Sequence, residues 1–167
     1  MIPELHRPIA VERVGLAGLD VTVEASAAEC AALAQRMNLP AVLALSCGFH
    51  LERDTPGTLL AYGNLLARVV QTCVVSLEDF TATIKERFAV RCVPEGEEGD
   101  DPDPEALDEI TYADSTLDLG EAAAEQLALA LDPYPRAPDA VLPDIPDDPV
   151  AQPFATLAAL RRRRQST

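Results

Sequence analysis

The sequence predicts an α+β fold: an antiparallel β-sheet, curved or partly barrel-like, with two main helices and a short C-terminal helix. Three observations predict it. Between residues 42 and 93, long stretches alternate apolar and polar side chains with the period of two that marks a half-buried strand. Two segments open with a helix-capping signature, Ser26-Ala27-Ala28-Glu29 and Asp118-Leu119-Gly120-Glu121. Apolar residues make up 48% of 167 residues, enough for one packed domain, and with no Trp the core must be built from Leu, Val, Ala and Ile.

The elements follow in chain order. Arg7 to Val14 places Ile9 and Val11 opposite Glu12, the pattern of a first strand; His6 sits near a start expected to be flexible. Gly15 to Gly18 is a turn, and Leu19 to Glu24 alternates again with Val21 and Val23 inward. Ser26 then caps a helix whose apolar stripe is Cys30, Leu33, Ala34 and Met37, stopped by Asn38-Leu39-Pro40. In residues 42–53, Leu43, Leu45, Cys47, Phe49 and Leu51 fall on one face, with Ala44, Ser46, Gly48, His50 and Glu52 on the other. Residues 59–75 are apolar on both faces and belong in the centre of the sheet. In residues 80–93, Phe80, Ala82, Ile84, Phe88, Val90 and Cys92 share one face and Thr81, Thr83, Lys85, Arg87 and Arg91 the other; a one-residue slip would invert this pattern, so the register is well specified. Ile110 and Tyr112 suggest a short edge strand. Asp118 then caps the second helix, with Leu119, Ala123, Leu127, Ala130 and Leu131 on its apolar face.

Charge divides the chain. Residues 1–94 carry a net of -2, residues 95–150 a net of -17, and residues 151–167 a net of +4, all of it in Arg161, Arg162, Arg163 and Arg164. The expected organisation is a single α+β domain over residues 1–136 with a mobile acidic loop at 94–108, a Pro-rich acidic linker over 137–153, and a short amphipathic helix with a basic tail over 154–167. Seven prolines between Pro133 and Pro153 exclude a continuous helix there. No apolar run approaches the ~20 residues of a membrane span, and the first residues show no signal-peptide core, so a cytoplasmic protein without membrane partners is expected.

Catalytic chemistry finds little to work with. No phosphate-binding glycine loop, nucleophile motif or EF-hand spacing occurs. Cys30, Cys47, Cys73 and Cys92 contain no C-x-x-C pair and read as small buried hydrophobes. No catalytic residue, metal or cofactor is therefore expected. Two features suit phosphate: the outward strand face with Lys85, Arg87 and Arg91, joined by Arg68 from the neighbouring strand, and the run Arg161 to Arg164. Scarce aromatics argue against a base-stacking platform. Glu121 and Glu125, at i, i+4 on the second helix, could meet a basic partner.

Residues 69–80 (VVQTCVVSLEDF), residues 117–136 (LDLGEAAAEQLALALDPYPR) and residues 153–161 (PFATLAALR), in that order, resemble the YceD-like large ribosomal RNA subunit accumulation proteins, and Pro3 to Pro8 resembles alphaproteobacterial members. The resemblance implies a non-enzymatic accessory factor for accumulation or processing of 23S ribosomal RNA and for ribosome assembly. Its partners would be precursor ribosomal RNA or the nascent large subunit. The alternative is an adaptor that docks a basic ribosomal or RNA-processing protein through the acidic segment and the second helix. Some members carry extra cysteines after the second helix that could hold zinc; here the matching stretch, residues 132–140, has none.

Overall fold

The computed structural model describes residues 3–97, 99 and 106–142. The expected C-terminal helix, the arginine run, part of the acidic loop and most of the linker lie outside the described residues.

The elements are β1 (Pro8–Ala10), a 3-10 turn (Val11–Arg13), β2 (Leu19–Glu24), α1 (Ala27–Arg36), β3 (Ala41–Arg53), β4 (Leu59–Thr72), β5 (Asp79–Pro94), β6 (Asp108–Tyr112), β7 (Thr116–Asp118) and α2 (Leu119–Ala130). The main sheet has the order β2-β3-β4-β5-β6, so β4 is central as its composition predicts. It is not closed into a barrel. It is also mixed: β6 runs parallel to β5, pairing Val90 with Asp108 and Pro94 with Tyr112. A tight turn after β5 would have given an antiparallel hairpin. The connection over residues 95–107 instead brings the chain back to the level of Val90 before β6 starts, and a parallel pair needs such a return.

The first predicted strand breaks at Val11 and does not join this sheet. β1 pairs instead with β7, Ile9 opposite Leu117, and the two form a separate ribbon. β7 was not legible in the sequence, because three residues are too short to show a period.

One face of the main sheet is buried under the helices and the N-terminal segment. Val23, Leu45, Cys47, Phe49, Leu51, Leu59, Ala61, Leu65, Ala67, Val69, Val90 and Cys92 point inward against Leu33 of α1 and Leu119, Ala123 and Leu127 of α2. Phe88 lies over Gly63, where a Cβ would stand 2.0 Å from its ring, and packs edge-on against Phe49 at 5.8 Å. The glycine is required there by close approach. β4 is apolar on both faces yet buried on only one: Tyr62 and Leu66 are exposed.

The N-terminal segment is a wedge between the helices. Leu5 is fully buried. The Asp118 carboxylate accepts from the Arg7 amide (2.8 Å) and caps α2 by accepting from the amides of Gly120 and Glu121 (3.0 and 3.3 Å); it also bonds the His6 ring. The Arg7 guanidinium donates to both oxygens of Glu29 (2.8 and 3.0 Å). Ser26 and Glu29 form the predicted reciprocal capping box. The second box is only half made, because Glu121 turns away from the Asp118 backbone to receive Arg36 (2.5 and 2.9 Å), which also reaches Glu4 (3.0 Å). His6 and its neighbours are therefore held, contrary to the expected flexible start. Gly120 backs directly onto this wedge: a Cβ would fall 2.4 Å from the Leu5 carbonyl oxygen.

Three outcomes follow for stability. Leu5→Ala is expected to cost about 2–5 kcal/mol, and Gly120→Ala to lower the melting temperature despite alanine's better helix propensity, as measured by denaturation. The Arg7 guanidinium, then the Ser26 amide, hold the Glu29 carboxyl near about 2, against an ordinary 4.5. A carboxyl depressed on folding stabilises the protein above its unfolded pKa and loses that contribution as pH falls from about 4.5 through about 2. Glu29→Gln should therefore flatten acid denaturation in that window, and an unchanged acid limb would contradict the assignment.

Candidate nucleic-acid interface

The outer face of the sheet faces away from the helices. Its side chains come from alternate residues of β2 to β5, set by the register. Leu66 lies between Ser46 and Lys85, Asn64 between Gly48 and Arg87, Arg68 between Ala44 and Thr83, and Tyr62 between His50 and Ala89. Adjacent strands are ~4.8 Å apart and residues i and i+2 are ~6.7 Å apart, so Arg68, Lys85 and Arg87 form a compact cationic cluster. All three are exposed. Among the described residues none of them has a carboxylate within salt-bridge distance.

Arg91 shares the face but not the role. Its guanidinium lies between Asp54 (3.8 Å) and Glu109 (3.9 Å), and its Nε is buried without a hydrogen-bond partner. Glu109 belongs to β6 and is the register partner of Arg91, so the parallel edge strand sets a carboxylate beside Arg91 on the same face. Arg161 to Arg164 lie outside the described residues.

The other half of the face is acidic. Asp20 and Glu24 of β2 and Glu52 of β3 line it, and His50 donates toward Asp20 (2.7 Å) and Glu52 (3.1 Å). The face thus runs from acid at β2 to base at β5, with Tyr62 and Leu66 on β4 between. Sequence reasoning also misplaced Leu43. A β-bulge between Val42 and Ala44 shifts the register of β3, turning Val42 inward and leaving Leu43 48% exposed. Periodicity alone cannot place a one-residue insertion that depends on the partner strand.

Two other predicted features have different surroundings. Glu121 is taken by Arg36. Glu125 stands at the surface one turn on, and its carboxyl is raised by partial desolvation and then by Glu121. The four cysteines are free and buried. Burial pushes Cys47 and Cys92 up to about 12. Cys73 is the exception: its Sγ accepts from the amides of Val75 and Ser76 (both 3.4 Å) and Ala137 (3.3 Å). Hydrogen bonding, led by the Ser76 side chain, lowers its thiol to about 7. The stretch after α2 therefore lies against Cys73 and meets it with a backbone amide. Among the described residues no group of His, Cys, Asp and Glu is placed to hold a metal ion, and no helix is long and apolar enough to cross a membrane.

A family model described as the large ribosomal RNA subunit accumulation protein YceD matches residues 61–161, more than half of the chain. No curated protein and no solved structure matches. The match runs from the third residue of β4 through β5, β6, β7 and α2, and so includes every cation of the outer-face cluster.

The carboxylates around His50 raise its pKa above the ordinary 6.5, Asp20 first and Glu52 second. In an NMR titration its midpoint is expected above 6.5 and Asp20→Asn should bring it down. A midpoint at or below 6.5 in the unsubstituted protein would remove His50 from the acidic half of the face.

Proposed function

Because the chain belongs to the YceD family of large ribosomal RNA subunit accumulation proteins, we propose that it acts as a non-enzymatic accessory factor that binds precursor 23S ribosomal RNA, or the nascent particle, through the outer sheet face. The observation that carries this reading is the cluster Arg68, Lys85 and Arg87: three exposed cations on rigid strands with no carboxylate partner among the described residues. The negative charge is concentrated in residues 95–150, which repel phosphate over about a Debye length, so a local basic cluster sets where a polyanion can land. Three phosphate contacts give modest affinity that depends steeply on salt and reads no sequence by itself. That suits a factor that holds RNA during assembly without processing it. Arg91 contributes little to it, being engaged by Asp54 and Glu109. Docking of a basic protein on α2 draws less support, since Glu121 is spent on Arg36.

The test is in-cell crosslinking of the tagged protein with sequencing of the bound RNA. Enrichment of a defined large-subunit segment is expected, and it should be lost when Arg68, Lys85 and Arg87 are changed to Glu. These exposed positions should change folding stability by no more than about 0.5 kcal/mol each. Recovery of proteins without RNA, insensitive to nuclease, would replace this reading with the adaptor.

A further inference from the structure

We propose that the outer face takes RNA in single-stranded form, with an unstacked base seated in the groove between Leu43 and Leu66; this rests on the RNA-binding reading above and specifies its ligand. Two grooves meet on the face at Leu66. One, of about 560 Å³, opens at the edge of β3 beyond the end of β2, where Leu43, Leu66 and Arg68 of the outer face meet Glu24 and the start of α1 at Ala27 and Cys30. The other, of about 430 Å³, is lined by Asn64, Leu66, Lys85, Glu86 and Arg87. Together they make a track from Arg87 and Lys85 across Leu66 to Arg68. Cations flank an apolar seat, as a strand with phosphates outside and bases inside requires.

The seat is built by the bulge. Without the shift at Val42/Ala44, Leu43 would point inward and the groove would lose one wall. Leu43 and Leu66 are each 48% exposed, an apolar pair with nothing over it among the described residues. The volume lies within the range of small-ligand sites and is ample for a nucleobase. Polar groups sit on its rim. The Glu24 carboxylate accepts hydrogen bonds, while the Ser46 and Thr83 hydroxyls donate or accept, so all can address the edge of a base that is not paired.

The charge gradient selects against duplex. A duplex keeps its base edges paired and carries phosphates on two strands. A duplex lying on the cluster would bring its second strand over the half of the face that carries Asp20, Glu24 and Glu52, where repulsion opposes it. A single strand running over Lys85, Arg87 and Arg68 keeps its one set of phosphates on the cationic side and turns only a base, which carries no charge, toward Leu43 and Glu24.

The test is fluorescence anisotropy of the full chain. The probes are a short labelled single-stranded RNA and the same sequence closed into a duplex, titrated between 50 and 200 mM salt. The single strand is expected to bind about tenfold tighter than the duplex, with a log–log salt slope near about -2 for three phosphate contacts. The double variant Leu43→Ala/Leu66→Ala should lose about tenfold for the single strand while leaving the salt slope and the melting temperature unchanged. Leu66→Phe should retain binding. Equal affinity for duplex, or a neutral Leu43/Leu66 double variant alongside loss in Lys85→Glu/Arg87→Glu, would overturn the single-strand inference and leave the RNA reading standing. No binding of either RNA would overturn both.

Discussion

The structure depends on the burial of Leu5 between the two helices. Its side chain is apolar, but its backbone is not, and a buried segment must find partners for its amides and carbonyls. Asp118 supplies one by accepting from the Arg7 amide while capping α2, and the Arg7 carbonyl accepts from the Leu119 amide (3.1 Å). One carboxylate thus serves the end of a helix and the start of the chain together. Arg7 reaches α1 through Glu29, and Arg36 reaches α2 through Glu121. Helix position over the sheet is set from this wedge outward, and the glycine at position 120 is the contact distance that permits it.

Fixing the helices on one side leaves the other side of the sheet uncovered by the described residues, and that division creates the candidate interface. Strand residues alternate strictly, so a register fixed by the core also fixes which side chains face out. Phe88 over Gly63 and Val90 beside Ala61 hold β5 in place, and Lys85 and Arg87 are thereby presented outward. The exposed cations owe their arrangement to buried apolar contacts they never touch.

Much of this was legible in the sequence. Both helix starts, the three long strands and the outward set Lys85, Arg87, Arg91 follow from period and capping, since these depend on neighbours in the chain. What escaped depends on partners far away in the chain. β7 exists because residues 8–10 pair with it; the parallel sense of β6 depends on where the connection returns; Leu43 faces out because β4 imposes a bulge. Arg91 and Arg87 are indistinguishable by spacing, and only Asp54 and Glu109 separate them. Likewise Glu121 matched a capping box, and a stronger partner, the Arg36 guanidinium, took it.

The ribbon of β1 and β7 has a consequence for synthesis. Pro8 pairs with Asp118, so the first strand waits for more than a hundred further residues before its partner exists. At roughly 5–20 residues per second, translation keeps Leu5 and Ile9 unsatisfied for on the order of 5–20 seconds. Hairpins β3–β4 and β4–β5 can close meanwhile, because their partners emerge together. The helices cannot lock over the sheet until α2 leaves the exit tunnel. The nascent protein therefore passes through an interval with its sheet formed and its apolar face open, and that interval ends only when the chain's beginning is clasped by a segment near the end of the domain.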